Sequence, residues 1–440
     1  MKKLAIATAA IAAATAAIAA PTVSNVSTTQ ASSQTVKVSY TLDEAAVVTL
    51  DVLTNATGEV WASIGADNIK TLWGDVNVLV QPGSHTLYWA PEKDWIEAHP
   101  GTYDVQAAVK AWAVTAPPDY MVVDLRFDEL RAGAPKVRYF ETAEQVPDGV
   151  TDIKYKTDFL VMRKIHAKGM TYRMGSPSGE IGAPSTSGTI DNWDLAKERT
   201  YHVTFTNDFY LGIYEVTRKQ NAYWLGYGNQ SAVSGYEAYP SEGENNKGFL
   251  HWYNMRGTAY MWPGDGHQVP EACMLGELRK RTGIEFDLPL EAQWEFACRA
   301  GTETALYTGE NLTAPGTSAN LDAIAWYKGN SGSTAHEVGL KQPNAFGLYD
   351  MLGNVSEYCL DRRKDGQYPF GNAESQALVE PGWQDTTNSN RGLRGGHYKQ
   401  NAQFCRAAAG YAYSGISTSN SDGPRYAGWG FRLWAPAIAK

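Results

Sequence analysis

The first quarter of the chain alternates apolar and polar side chains at the period of a β-strand. Positions 36–42 place Val, Val, Tyr and Leu on one side and Lys, Ser and Thr on the other, and 48–52 repeats the alternation. Segments 82–89 and 100–109 each begin with Pro-Gly, a turn signal, and continue as an alternating run. Several strands at this spacing predict an antiparallel all-β sandwich over residues 22–114.

The pattern changes after this region. Residues 115–156 read as a mixed connector that holds a proline pair and then a strand-like apolar run. It carries too many apolar residues for a flexible linker, so we expect it to pack against a neighbouring part of the chain. From 157 to 440, the predicted strands are short and the loops are long and rich in Gly and Asn.

Two helices are predicted within residues 157–440. Segment 290–300 repeats apolar residues at helical spacing and follows Pro289, as expected at a helix start. Segment 271–283 ends in Lys and Arg residues and then in Gly283, a helix stop signal. Short strands together with these helices predict an α+β class for the larger part of the chain.

Composition and charge exclude some classes of function. The 440 residues are 43% hydrophobic and 19% charged, and the net charge of −9 gives no footprint for nucleic acid. Lys2 and Lys3 precede a run of small and apolar residues, which predicts a secretory signal peptide over 1–19. No later stretch reaches the ~18 apolar residues that span a bilayer. We therefore expect no membrane span and a secreted or periplasmic protein.

Residues 157–440 resemble the sulfatase-modifying factor family, whose founding activity is formylglycine generation in sulfatases. The resemblance rests on six ordered segments: GMTYRMGSP (169–177), FYLGIYEVT (209–217), FDLPLEAQWEFACRAGT (286–302), NAFGLYDMLGNVSEY (344–358), LRGG (393–396) and GWGFRLW (428–434). It implies an irregular, C-type-lectin-like α+β fold. In the N-terminal part, GSHTLYW and GTYDVQA resemble the Ig-like domain of flagellar hook-capping proteins.

The resemblance also implies where a redox site would lie. The oxidase members bind copper through two cysteines after the double glycine, since thiolates suit Cu(I). Counting from Gly396, Cys405 falls on the second position and Gln400 on the first, so copper is not expected. In another register, Cys405 matches a later structural cysteine that bonds the helix cysteine, Cys298. Four cysteines in all allow three disulfide connectivities.

Other positions depart from the family pattern or carry its metals. Leu290 replaces a capping threonine, which costs about 1 kcal/mol unless the loop compensates. The resemblance implies structural calcium at Leu352, Gly353, Val355 and Glu357, with Asn320 and Leu321 beginning a second site whose distal aspartate is not recognisable. Oxygen ligands around a tight turn suit this hard cation. Glu357 could instead be a surface carboxylate that caps the turn.

The last segment has the composition of a recognition loop. Residues 410–431 are rich in Tyr, Ser, Gly and Asn, which also suits an ordinary exposed loop. The family resemblance places this segment on the face of the oxidase active site, and retroelement-diversified proteins of this fold vary it. We predict ligand contacts at His397, Tyr398, Gln400, Tyr411, Tyr413, Tyr426 and Trp429. His397 could equally be a hydrogen-bonded loop residue.

The resulting hypothesis is a secreted binding protein whose partner is a glycan, a peptide or a protein. One alternative is a formylglycine-generating oxidase in which Cys405 is the catalytic thiolate. Another is a non-haem iron enzyme of the same family, although the eight histidines show no HxxxH or HExxH spacing.

Overall fold

The computed structural model describes fourteen parts of the chain, and the predicted signal peptide 1–19 lies outside them. The described residues are 20–32, 34–54, 61–65, 68–96, 105–126, 135–183, 198, 200–225, 235–242, 255–256, 269–362, 377–379, 391–413 and 428–440. Within these ranges, no helix combines the length and apolar character that crossing a bilayer requires.

The N-terminal part consists of two antiparallel sheets. Its strands are β1 (Val23–Ser32), β2 (Thr35–Leu42), β3 (Ala46–Thr54), β4 (Ala62–Ser63), β5 (Leu72–Gly74), β6 (Leu79–Val80), β7 (Gly83–Trp89) and β8 (Val105–Ala113). One sheet has the order β1-β2-β7-β5, and in the other β3 pairs with β4, β6 and β8. Alternate residues of β2, including Val38 and Tyr40, share a core with Leu50 and Val52 of β3. The alternation over 36–42 therefore marks a half-buried strand as predicted, whereas the Ig-like type stays a prediction.

The remaining strands form three further sheets. They are β9 (Tyr120–Asp124), β10 (Val137–Phe140), β11 (Phe159–Ile165), β12 (Thr171–Met174), β13 (Tyr201–Thr204), β14 (Phe209–Gly212), β15 (Ser356–Arg362), β16 (Ala377–Val379), β17 (Arg391–Arg394), β18 (Gly410–Tyr413), β19 (Trp429–Gly430) and β20 (Trp434–Pro436). Their orders are β10-β9-β11-β14-β20, β12-β13-β16 and β18-β17-β15-β19. Many short strands with few helices are compatible with the predicted α+β class.

The connector 115–156 is built into the larger of these sheets. Its strands β9 and β10 pair with each other, and β9 pairs antiparallel with β11, from Phe159 opposite Asp124 to Arg163 opposite Tyr120. On its other side, the backbone N–H of Tyr139 donates to Asn77 O at 2.8 Å. Residues 115–156 thus contribute to the C-terminal sheet and also contact the N-terminal part.

The described α-helices are α1 (Arg218–Leu225), α2 (Met274–Thr282), α3 (Glu291–Arg299) and the single turn α4 (Ala319–Asp322). A π-helical segment, Glu92–Ile96, and two 3₁₀ turns, Ile153–Lys156 and Ala402–Phe404, are also present. Both predicted helices are confirmed as α2 and α3. Helix α2 ends where Gly283 adopts a φ of 72°, and its N–H donates to Arg279 O. Strand β15, rather than the loop before the helix, compensates for the missing cap at Leu290, because the carboxylate of Asp361 accepts the Glu291 N–H at 2.7 Å.

The five-stranded sheet is buried on both faces. On β9, Val122 belongs to the core that contains Trp294 and Ala297 of α3. Its neighbours Met121 and Val123 belong to the core that contains Leu278 of α2. All nine residues of α3 are buried, including its charged ones, so this helix needs partners for its charges inside the protein.

Candidate functional site

The predicted site follows β17, where two glycines reverse the chain. Gly395 and Gly396 have φ values of 86° and 70°. A Cβ on Gly396 would lie 2.5 Å from Phe404 O and 2.7 Å from Cys405 Sγ. The double glycine therefore lets residues 397–404 fold back directly over Cys405.

Cys405 lies inside the protein, beneath this loop. Its side chain has no exposed surface, and burial raises the pKa of its thiol to about 12. All four cysteines are buried free thiols. The considered disulfide between Cys405 and Cys298 is therefore not formed in this structure, although both side chains belong to the same core.

Gln400 holds the loop together through its side chain and its backbone. Its Oε1 accepts the His397 N–H at 3.1 Å, and its own N–H donates to His397 O at 2.8 Å. Its carbonyl accepts the Lys328 N–H at 2.9 Å. The side-chain amide thus has a structural partner within its own turn.

His397 is neutral over most of the pH range. Burial, and then the nearby charge of Lys399, lowers the pKa of its imidazole to about 4. Nδ1 accepts the Lys399 N–H at 3.2 Å, which leaves the proton on Nε2. A Cβ on Gly428 would lie 2.5 Å from Nδ1, so this glycine gives the ring its space.

Two of the predicted ligand contacts lie in the interior. Tyr398 is 0% exposed, so its prediction as a surface contact is wrong: the turn points this ring into the core. Trp429 is also buried and packs edge-on against Tyr358, with ring centroids 6.1 Å apart. The side chains of Tyr411 and Tyr413, and all of Tyr426, lie outside the described residues.

An accessible part of this loop is formed by His397, Lys399, Gln400 and Phe404, and we call it the 397–404 surface. Phe404 is 38% exposed. The sequence analysis did not predict Phe404 or Lys399 as contacts. For Phe404 the reason is its place next to a buried cysteine, where the sequence predicts a core residue. Its position in the short 3₁₀ turn Ala402–Phe404 sets its exposure. A neutral imidazole, an amide, an ammonium group and a phenyl ring provide recognition chemistry without an accessible nucleophile.

Glu357, a predicted calcium ligand, is engaged by protein groups. Its Oε1 accepts from Arg432 Nη2 at 2.6 Å, and its Oε2 accepts from Arg432 Nε at 2.7 Å and from Trp294 Nε1 at 2.6 Å. It is 1% exposed and is therefore not the surface cap considered above. The calcium site at Leu352, Gly353, Val355 and Glu357 stays a prediction.

The second calcium candidate lies on α4. Asn320 Nδ2 donates to Asn311 O at 2.9 Å, and the carbonyl of Leu321 accepts the Ala325 N–H at 3.0 Å. Both groups are thus used within the local fold, and this site also stays a prediction. In the described ranges, no cluster of three or more His, Cys, Asp or Glu side chains is arranged to hold a metal ion.

Charged residues of the sequence motifs, and Arg406 outside them, form buried ion pairs. Arg394 of the LRGG segment donates to Glu291 at 2.6 Å and to Glu295 at 2.9 Å, both on α3. Arg406, next to Cys405, donates to Glu180 at 2.6 Å and Glu198 at 2.9 Å. These pairs satisfy the charges of α3 and fix the base of the 397–404 surface.

Residues 171–433 match the family model described as "Sulfatase-modifying factor enzyme 1-like domain". Among solved structures, "Treponema denticola variable protein 1" aligns with 63% of this chain and 95% of its own, at 22% identity and a TM-score of 0.44.

Curated relatives match over shorter lengths. "Chaperone protein LppX" of Paenibacillus barcinonensis is 28% identical over 37% of this chain and 65% of its own. "Formylglycine-generating enzyme" of Streptomyces coelicolor is 32% identical over 31% of this chain and 43% of its own. "Inactive C-alpha-formylglycine-generating enzyme 2" of Bos taurus is 31% identical over 24% of this chain and 35% of its own. The chain spans less than two thirds of each of these relatives. Because the family model covers more than half of its residues, the chain belongs to the sulfatase-modifying factor family.

Proposed function

We propose that this protein is a binding member of its family that does not generate formylglycine. The observation that carries the proposal is the state of Cys405, a buried thiol whose pKa is raised to about 12. Only the thiolate binds Cu(I) or acts as a nucleophile. Gln400, at the position that matches the other copper cysteine, offers an amide already bonded to His397. These two residues do not fit Cu(I), and one relative carries the word "inactive" in its name.

The 397–404 surface is the proposed contact region for a glycan, peptide or protein. Phe404 supplies apolar area, and His397 and Gln400 are held by backbone hydrogen bonds, which lowers the entropy lost on binding. Tyr411, Tyr413 and Tyr426 would extend this surface. The predicted signal peptide places the protein outside the cytoplasm, secreted or periplasmic. The N-terminal two-sheet part would serve as an Ig-like spacer or adhesion module.

Copper affinity and thiol accessibility test the loss of oxidase chemistry. Wild type, Cys405→Ser and Cys298→Ser would be titrated with Cu(I) against a competing chelator. Thiols would be counted with a disulfide reagent before and after denaturation. We expect weak copper binding that is equal in all three proteins, and four thiols that react only after unfolding. Tight binding lost in Cys405→Ser but kept in Cys298→Ser would reinstate the oxidase.

Binding through the 397–404 surface is tested on glycan and peptide arrays. A ligand found with wild type should bind at least ten-fold more weakly to a Phe404→Ala, Gln400→Ala double variant. Lys280→Ala, at a 62% exposed side chain of α2, is the matched surface control and should bind normally. Equal binding by all three proteins would place the contact elsewhere.

A further inference from the structure

A large cavity lies away from the 397–404 surface, between the end of the five-stranded sheet and the start of α3. Its volume is about 880 Å³, within the range of small-molecule sites. It is lined by Thr115, Ala116, Lys168, Asn207, Asp208, Phe209, Arg279, Glu285, Asp287, Leu288, Leu290, Gln293, Leu360, Trp434, Pro436, Ala437 and Ile438. None of these residues lies in the 397–404 loop, so this site is separate from the proposed recognition surface.

One wall of the cavity is apolar, and strand β20 shapes it. Leu288 and Leu290 precede α3, and Ile438, which is 39% exposed, follows β20. Strand β20 is the last of its sheet, and Pro436 has no N–H to offer an added strand. This edge therefore favours a compact ligand over an extended peptide strand.

The cationic and acidic groups that line the cavity largely neutralise each other. Arg279 donates from Nη2 to Asp287 at 3.1 Å, from Nε to Phe286 O at 2.8 Å, and pairs through Nη1 with Glu285 at 2.8 Å. Asp287 also accepts two hydrogen bonds from Arg256, at 2.7 and 2.8 Å. These residues leave no unpaired charge for a ligand to satisfy.

One buried donor and one exposed ammonium group belong to residues that line the cavity. The indole N–H of Trp434 is buried and has no acceptor among the described residues. Lys168 lies at the solvent-facing rim, and no described carboxylate lies within ion-pair distance of its ammonium group. At the same rim, Asp208 accepts the Lys168 N–H at 2.9 Å and lies 3.9 Å from His166. A buried donor without an acceptor costs free energy that a ligand acceptor would recover.

We propose that this cavity binds a small amphiphilic carboxylate, with an apolar body against Leu288, Leu290 and Trp434. An oxygen acceptor on the ligand takes the Trp434 N–H, and the negative charge of the ligand faces Lys168. The proposal is independent of the function assigned to the 397–404 surface.

Binding of 8-anilinonaphthalene-1-sulfonate, an apolar anion with sulfonate acceptors, tests the site by fluorescence. The full chain should show one saturable site. Trp434→Phe keeps a ring but removes the N–H, and should weaken binding about five-fold, the value of one hydrogen bond. Lys168→Gln should weaken it about three-fold at low salt and less at high salt. Lys110→Gln, at a 54% exposed side chain of β8 outside the cavity, is the matched control and should bind as wild type.

A second variant and a competition experiment keep the test decisive if Trp434→Phe folds poorly. Ile438→Glu puts a negative charge at an exposed lining position, and should weaken probe binding at least ten-fold while the protein stays folded. Octanoate should displace the probe, whereas octylamine at the same concentration should not. Absence of saturable binding, equal binding by the Lys168 and Ile438 variants and wild type, or equal displacement by the two competitors would overturn the proposal.

Discussion

Arg432 holds Glu357 in a two-point ion pair within the core, and neither residue is more than 1% exposed. Arg432 also donates to two backbone carbonyls, Gly212 O on β14 and Tyr349 O in the loop before β15, each at 2.9 Å. This arginine therefore links separate parts of the domain through groups that have no access to water. Removing one partner leaves the other charge buried and unpaired.

We accordingly expect Glu357→Gln to lower the free energy of unfolding by about 3 to 5 kcal/mol. Urea denaturation followed by tryptophan fluorescence measures this change. Glu303→Gln is the matched control, because Glu303 is 80% exposed and pairs with Arg173 at 3.3 Å. It should change stability by less than about 1 kcal/mol. Similar small losses in both variants would contradict a structural role for the buried pair.

Calcium chelation, applied to wild type and to Glu357→Gln, distinguishes a structural ion pair at Glu357 from the predicted calcium site. If Arg432 and Trp294 satisfy Glu357 without a metal ion, a calcium chelator should leave the wild-type melting temperature unchanged. A fall in melting temperature on chelation, reversed by added calcium and absent in Glu357→Gln, would support Glu357 as a calcium ligand.

The sharp turn at Gly396 predicts a severe effect of a single methyl group. Gly396→Ala combines a positive φ with a Cβ 2.5 Å from Phe404 O, so it should cost about 3 kcal/mol or more and displace the 397–404 loop. Gly309→Ala has a φ of 85° with nothing within 4 Å, and should cost only the backbone strain, about 1 kcal/mol. Equal losses by thermal denaturation would show that the contact with Phe404 is not limiting.

Asp350 predicts a distinct dependence of stability on pH. Burial raises the pKa of its carboxyl from 3.8 to about 6, while the Gly339 N–H and then Arg432 act in the opposite direction. Because the folded pKa is the higher one, the folded state binds more protons between about pH 4 and 6. Stability contributed by this group is therefore full below pH 4 and falls as pH rises through 6, by about 3 kcal/mol for two pKa units.

Asp350→Asn should remove this fall, since the amide stays neutral at every pH. Asparagine tolerates the φ of 53° at this position and can still accept the Gly339 N–H. The difference in unfolding free energy between variant and wild type, measured from pH 4 to 8, reports Asp350 together with its effect on the neighbouring buried carboxyl of Glu215. A constant difference across that range would rule out a raised pKa.

Helix α3 is capped by Asp361, which lies on the distant strand β15. The cap can therefore be removed without changing any residue of the helix. Asp361→Ala removes the acceptor for the Glu291 N–H and should destabilise the protein by about 1 to 2 kcal/mol. Asp361→Asn keeps an acceptor and should cost less. A loss in urea denaturation that is the same for both variants would indicate that the charge of Asp361, rather than the cap, matters.

The sequence predicted those elements whose signals are local. Pro289, Gly283 and the period-two run over 36–42 each specify a conformation within a few residues, and the structure follows them. The pairing of β9 with β11, and of Arg432 with Glu357, joins residues with no common pattern, and no local rule reveals such partners. Tyr398 was misplaced for a related reason: composition marks a tyrosine as suited to recognition, but the turn at Gly395 and Gly396 decides which way it points.

Strand β20 has a consequence for the order in which the protein can form. It closes the five-stranded sheet beside β14, and just beyond it the Ala439 N–H donates to Val114 O at 2.8 Å. The Lys440 N–H reaches the hydroxyl of Tyr139, 301 positions earlier, at 3.2 Å. Contacts between such distant positions form late and slowly, because the intervening chain must first be ordered. During synthesis, the edge of the sheet along β14 therefore remains unpaired until residues 434–440 have been made and β20 has paired with it.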